Sequence, residues 1–338
     1  MTSHSSKEEH VKVRKRDIKV VCHNMDRLVT APLRTFGHPR GAYVPKLYRK
    51  ARALYREPIC YHAAARILAS PGAHVAIVTG TYNPVYFPGG ETDGPIGAAV
   101  LGRVLAQLGH RVTFCVEEQI IPAMYRFAEV AGAEGDFEGL TIGREDGHAP
   151  LADRFDAAVF IEKIGTNRVG VHHTSSGVAS DTDDANVSGF VRAMQAPGKW
   201  TIGLGDGGNE IGFGCIVDTV RKIVRYGDVC RCPCRGGIAT VLATTILFPA
   251  SISNWAGYSI IAAMALITGD FSLLHTPEKE MELLETAPTV GCFEGTVAKD
   301  KPYIDAVPPE GSAAMVQLLK SAVDVAYSET LPLDSRPY

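Results

Sequence analysis

The chain has 338 residues, 46% of them hydrophobic and 21% charged, enough apolar material for the core of one large domain or two ordinary ones. With 34 basic residues against 37 acidic ones and a formal net charge of −3, it gives no electrostatic reason to expect nucleic acid or an anionic membrane as a partner. Its 34 glycines follow no fixed period and no low-complexity run, which argues against collagen-like, linker and disordered classes and points to tight backbone turns.

At the N-terminus, Lys12, Arg14, Lys15 and Arg16 are interrupted by Asp17 and preceded by Glu8 and Glu9. No apolar stretch of signal-peptide length follows, so a secretory signal is not expected. The cytosol is the default compartment and the mitochondrial matrix the alternative. The longest apolar runs, 238–250 and 255–269, fall short of the roughly 20 residues of a membrane span, and no membrane partner is expected. Both read as buried strand or helix.

Residues 11–29 and 44–69 read as helical, with a break at Pro58. From residue 72 the pattern changes to apolar β-branched runs separated by helical periodicity: a strand at 74–79, a helix opening near Asp93 and Pro95 and closing at Gly109, and a strand at 111–116. A helix at 119–131, a strand at 157–162, a long loop over 165–184, a helix at 185–195 and a strand at 200–204 follow. The last elements are a strand at 241–248, a helix at 254–268, a helix at 276–285 capped by Thr276, and a helix at 311–327. Strands apolar on both faces and separated by helices predict an α/β fold, three-layer α/β/α with a mainly parallel sheet. The expected organisation is an N-terminal helical or partly disordered extension over 1–40, a single domain over 41–330, and a tail over 331–338.

Eight cysteines in 338 residues are too few for a disulfide scaffold. Cys230, Cys232 and Cys234 form a C-x-C-x-C run. Its one-residue spacing is tighter than the usual structural zinc pairs, whose ligands stand about two to four residues apart, and no second Cys/His pair follows at zinc distance. The run reads as an ordinary loop thiol cluster, with adventitious metal or redox sensitivity as the alternative.

In an open parallel sheet the chemistry belongs to loops that follow strands, and this is where many glycines fall. Gly203, Gly205 and Gly208 spell G-x-G-x-x-G after a strand, yet Asp206 lies inside the motif and Glu210 just beyond it. Those carboxylates would repel a pyrophosphate, so the dinucleotide reading is set aside. Hard oxygen ligands in glycine-rich turns suit a divalent cation. Glu91, Asp93, Asp206 and Glu210 form a candidate acidic cluster to which Asn209 can add a carbonyl oxygen. Against this stands the simpler reading in which Asp93 caps its helix and Asp206 and Glu210 close turns. Glu162 and Lys163 open a third such loop. His172 and His173 read first as solvated surface, with a ligand or a base as the alternatives, and Asn254 either caps a helix or touches a ligand.

Four segments carry a resemblance: Glu91-Thr92-Asp93-Gly94-Pro95, Gly205-Asp206-Gly207-Gly208-Asn209-Glu210-Ile211-Gly212, Ser253-Asn254-Trp255, and His275-Thr276-Pro277-Glu278. In combination and order they resemble the D-glutamate cyclase C-terminal domain family, over roughly residues 40–330. In vertebrate members a hydratase-like N-terminal domain precedes this one, and it is not expected here. Lys163, Phe213 and the His172-His173 pair depart from the family pattern.

The resemblance implies an α/β hydro-lyase that interconverts D-glutamate and 5-oxo-D-proline with loss of water, helped by a divalent metal, manganese or magnesium. Asp206, Asn209, Glu210 and Asp93 are the expected metal ligands. Glu91, Asp93 and Glu162 are the expected catalytic carboxylates, with Glu91 or Glu162 as the base. Thr92, Gly94, Gly207, Gly208 and Asn254 are expected to bind a small acidic metabolite such as D-glutamate, partly through backbone amides at helix starts. A metal-dependent phosphohydrolase on the same site and a non-catalytic small-molecule-binding module are the alternatives, and a homo-oligomer is allowed.

Overall fold

A computed structural model describes residues 15–33, 40–143, 146–180, 184–296 and 301–328. The expected tail over 331–338 and residues 1–14 of the expected extension lie outside the described residues. The helices before the sheet are α1 (Lys15–Val29), α2 (Arg40–Arg52) and α3 (Ile59–Leu68). Cys22, Met25 and Val29 of α1 are fully buried in the main core. The buried carboxylate of Asp26 in α1 accepts the amides of Ile59 at 2.7 Å and Cys60 at 3.0 Å. It thereby caps α3, whose own N-cap residue, Pro58, supplies no side-chain hydrogen bond.

The alternating part runs β1 (His74–Thr79), α4 (Pro95–Gln107), β2 (Arg111–Glu117), α5 (Ile121–Ala131), β3 (Asp136–Leu140), β4 (Ala157–Ile161), α6 (Ser188–Ala193), β5 (Trp200–Gly205), α7 (Val217–Ile223), β6 (Ile246–Pro249) and α8 (Ser253–Thr268). It closes with α9 (Pro277–Thr286) and α10 (Pro309–Tyr327). The six strands pair in parallel in the order β3-β2-β1-β4-β5-β6. Alternate residues of each inner strand enter opposite cores. Val75, Ile77, Val159 and Ile161 join the core under α3, α4 and α8, while Ala76, Val78, Ala158 and Phe160 pack with Phe190 and Val191 of α6. Both faces are therefore covered, and the fold is three-layer α/β/α. Among the described residues no helix is long and apolar enough to cross a membrane.

The elements depart from expectation in four places. The apolar run at 241–248 pairs in the sheet only from Ile246. Before that, Leu242 accepts the amides of Gly212 at 2.9 Å and Gly214 at 3.1 Å, so a loop rather than a strand buries it. The edge strand β3 is half polar and contains Gly139, which hides its period, and the short α7 carries Asp218, Arg221 and Lys222 among its seven residues. The helix opening at residue 95 is not capped by Asp93. Its N-cap position is Gly94.

Candidate active site

The strand order reverses between β1 and β4, which opens a crevice at the carboxyl edge of the sheet where doubly wound folds place ligands. The loops after β1, β4 and β5 converge there around a cavity of about 310 Å³, whose walls include Glu91, Glu162, Ser175, Asn209 and Asp305. Among the described residues no lysine or arginine lines it. A larger cavity of about 710 Å³ lies against Glu138, Thr141, His148 and Arg154. Glu138 there is paired to Arg154 at 2.6 Å, and none of the strand-end acids reaches it.

Carboxylate oxygens of Glu162, Asp206 and Glu210 all lie within 4.8 Å of one another, and all three residues are buried. The glycines explain how. A side chain on Gly203 would meet the carbonyl of Ile211 at 2.4 Å, and one on Gly205 would meet the Cβ of Glu210 at 2.9 Å. The loop after β5 thus folds back over its own strand, and the G-x-G serves that return. Glu210 accepts the amides of Gly207 at 3.0 Å and Gly208 at 2.8 Å. The loops after β4 and β5 are joined by Ile211 N to Lys163 O and Gly165 N to Asn209 O, both at 2.8 Å.

Glu162 holds a left-handed backbone, φ 50°, and so does Asp305, φ 48°. Side chains other than glycine adopt that region rarely, at roughly 1–3 kcal/mol. Two acids on one cavity wall are held in it. Ser253 Oγ donates to Glu162 Oε2. Asn209 donates from Nδ2 to the carbonyl of His173 at 2.9 Å. Its Oδ1 is buried without a hydrogen-bond partner among the described residues. The three close carboxylates form a hard-oxygen donor set that fits a divalent cation, and the unsatisfied amide oxygen belongs to a residue that lines the same cavity as Glu162.

Asp93 lies beside this group in a structural position. Its carboxylate accepts the amides of Ser253 at 2.8 Å and Asn254 at 2.9 Å, which caps α8. In return Asn254 Oδ1 accepts the amides of Gly94 at 2.8 Å and Gly97 at 3.0 Å, which caps α4. Burial, and after it the charges of Asp305 and Asp206, push the Asp93 carboxyl well above its ordinary range. The amides of Gly94, Gly207 and Gly208 are thus taken up by the chain's own side chains. Thr92 gives its carbonyl to Asn254 Nδ2 at 3.2 Å, and its buried hydroxyl has no partner among the described residues.

Glu91 enters the cavity from the opposite loop, which the segment after α9 holds in place through Thr92 N to Phe293 O and Phe293 N to Gly90 O, both at 3.1 Å. Sequence reasoning missed Asp305, Ser253 and the Thr174–Ser176 wall. Asp305 precedes the last helix with no motif around it. His172 and His173 are not on a solvated surface: they are 1% and 0% exposed. The His173–Ala179 bridge and Ser180 N to His172 O at 3.0 Å curl this loop inward. Lys163 is fully buried and pairs with Glu117 at the end of β2, while also donating to the carbonyl of Gly80 at 3.2 Å. It ties three strand ends together beneath the cavity. His275, Tyr258 and Ser312 converge on the buried Glu280 at 2.9, 2.7 and 2.6 Å, which joins α8, α9 and α10.

A family model described as D-glutamate cyclase-like, C-terminal, matches residues 46–320. Human mitochondrial D-glutamate cyclase is 28% identical over 225 residues, covering 60% of this chain and 34% of the relative. The chain therefore spans about a third of the length of that protein. Among solved structures, a variant of actinorhodin polyketide ketoreductase with NADPH aligns at 15% identity with a TM-score of 0.29, over 76% of this chain and 95% of the other. A short-chain type dehydrogenase/reductase from Mycobacterium marinum aligns at 12% and 0.26, over 78% and 94%. Scores this low carry neither fold nor function.

Proposed function

The chain belongs to the D-glutamate cyclase-like, C-terminal family, and from that premise we propose that its strand-end cavity interconverts D-glutamate and 5-oxo-D-proline. The observation that carries the reading is the convergence of Glu162, Asp206 and Glu210. These carboxylates come from the loops that hold the family's motifs and from the strand-end loop beside them, at the reversal point of the sheet.

Cyclisation joins the α-nitrogen of glutamate to its side-chain carboxyl carbon. A C–N bond forms, a C–O bond breaks, and water leaves. The ammonium group must first give up one proton and the attacking nitrogen a second, and both finally depart with the leaving carboxylate oxygen as water. Glu91 lines the same cavity as Glu162 of the trio and is the base. Glu162, an equal candidate from sequence, sits within the trio and is better placed as a ligand. The acidic wall formed by Glu91 and Asp305 favours the ammonium end of the substrate, and the hydroxyls of Thr174, Ser175 and Ser176 offer donors to its carboxylates. A divalent cation held by Glu162, Asp206, Glu210 and Asn209 would supply the positive charge that two substrate carboxylates need in a cavity without lysine or arginine among its described lining. Asp93 supports the site from behind, as the cap of α8.

The test is turnover of D-glutamate and of 5-oxo-D-proline, followed by proton NMR, with added manganese and with chelator. A generic phosphate ester is run in parallel. Lactam formation or opening that chelator suppresses is expected. Hydrolysis of the ester with no reaction of either amino-acid form would overturn the reading in favour of a phosphohydrolase. Reaction of none of them would leave a binding module.

A further inference from the structure

The loop after β4 is tied, beyond Glu162, to the segment between α7 and β6. Asn167 Nδ2 donates to Gly237 O at 2.7 Å, and Arg231 N to Gly177 O at 2.9 Å. At that junction His173 Nε2 and the sulfurs of Cys230, Cys232 and Cys234 all lie within 4.8 Å of one another. His173 Nε2 is 3.2 Å from Cys232 Sγ and 3.5 Å from Cys234 Sγ. Cys230 Sγ is 3.5 Å from Cys232 Sγ and 3.3 Å from Cys234 Sγ. None of these cysteines is in a disulfide.

We propose that His173, Cys230, Cys232 and Cys234 form a structural zinc site. Tetrahedral zinc with Zn–S near 2.3 Å and Zn–N near 2.0 Å separates its sulfurs by about 3.8 Å and sulfur from nitrogen by about 3.5 Å. The four atoms already stand close to those separations. The surroundings suit the bound state. His173 Nδ1 is 3.1 Å from the carbonyl of Val171, so the Nδ1–H donates there and the Nε2 lone pair faces the sulfurs, as in most histidine-bound metals. Gly236 N at 3.4 Å and Asn167 Nδ2 at 3.7 Å donate to Cys234 Sγ, which favours a thiolate. Three sulfurs and one imidazole in a closed set select zinc over hard cations such as manganese. The short C-x-C-x-C spacing excludes a paired zinc knuckle from sequence alone, but the fourth ligand comes from 59 residues away from Cys232.

Such a clip also shapes the cavity. Thr174, Ser175 and Ser176 follow the ligand His173 directly and form one wall, and Asn209 Nδ2 donates to the carbonyl of His173. The zinc would fix that wall whatever reaction the cavity carries out.

The test is metal analysis of untagged protein purified without chelator. One zinc per chain is expected, released by an organomercurial that titrates three thiols. Cobalt in its place should give the intense visible absorption of a tetrahedral thiolate site. Cys232→Ser should lose the metal while Asp206→Asn keeps it. His173→Cys, which preserves four ligands, should still bind cobalt with a spectrum shifted towards four thiolates, and it remains informative if Cys232→Ser does not fold. Metal-free protein from zinc-supplemented cells, a coloured iron–sulfur chromophore, or zinc retained by Cys232→Ser would each overturn the assignment.

Discussion

Asp93 and Asn254 cap each other's helices: the carboxylate of Asp93 holds the first amides of α8, and the amide oxygen of Asn254 holds those of α4. Both side chains are buried, so neither set of amides has water as a substitute. Asn254→Ala leaves the buried amide of Gly97 unpaired and that of Gly94 with only Asp93 Oδ1 at 3.1 Å, and is expected to destabilise by about 2 kcal/mol in urea unfolding. The double variant Asp93→Ala with Asn254→Ala should lose less than the sum of the singles, by about 1 kcal/mol, because the two caps share one helix junction. Strict additivity would show that the caps act independently.

The buried pair Lys163–Glu117 lies under the same edge. Lys163→Met leaves the Glu117 carboxylate without its cation, and Glu117 also accepts the amide of Ala185 at 3.0 Å. A loss of about 3–5 kcal/mol is expected, which is the usual consequence of stranding one member of a buried pair. Adding Glu117→Gln should restore a large part of it, since the stranded charge is then gone. Chemical unfolding of the two variants beside the parent measures both effects.

The acidic trio makes a prediction independent of turnover. A cation that binds only the folded chain stabilises it by about 2.7 kcal/mol at roughly one hundred times its dissociation constant. Manganese should therefore raise the melting temperature of the parent, and Glu162→Gln or Asp206→Asn should abolish that rise. Asp93→Asn should lower the melting temperature yet keep the manganese response, because Asp93 is spent on α8. A manganese response lost in Asp93→Asn and kept in Glu162→Gln would restore the ligand set expected from sequence.

The strands and the long helices were legible because their causes are local: β-branched runs, helical spacing, and Thr276 at the start of α9, where it does accept the amide of Lys279 at 3.2 Å. The segment 241–245 reads as strand from its hydropathy, yet Val241 and Ala243 are exposed and Leu242 alone of its apolar side chains is buried, under a returning loop, and hydropathy does not distinguish loop from sheet as the cover. At the site, the strand-end glycines pointed to Asp206 and Glu210. Which element each polar group serves was not legible. Asp93 and Asn254 were both recognised as cap candidates, but the helices they cap lie about 160 residues from them, and no local pattern records such an exchange. Asp305 and the meeting of His173 with the cysteine run depend on tertiary contact in the same way.

If Glu91 is the base, its loss should act on chemistry and leave the fold alone. Glu91→Gln keeps the side-chain shape but cannot take the ammonium proton. A fall of about 10²–10⁴-fold in kcat for lactam formation is expected, with KM nearly unchanged and the manganese-induced rise in melting temperature retained. Steady-state kinetics alongside thermal melts separate this from damage to the trio, which would remove both.

His110 supplies a pH dependence whose sign follows from its surroundings. It closes the turn between α4 and β2 and is 6% exposed. Burial lowers its pKa below the ordinary 6.5, with a hydrogen bond to the Ala73 backbone opposing that shift in part. The native state thus holds the neutral imidazole while the unfolded chain takes up a proton. The contribution of His110 to stability is fully present above pH 6.5 and is lost as pH falls from there towards its lower folded value, by at most about 1.4 kcal/mol per pH unit. Buried carboxyls such as Asp26 and Asp93, raised above their ordinary values, pull the other way on acidification, so total stability against pH does not isolate the imidazole. The difference between the parent and His110→Gln does. That difference, measured by urea unfolding at steps from pH 7.5 to 5, should shrink steadily below pH 6.5, and a gap that stays constant across the series would place the histidine's folded pKa at its ordinary value.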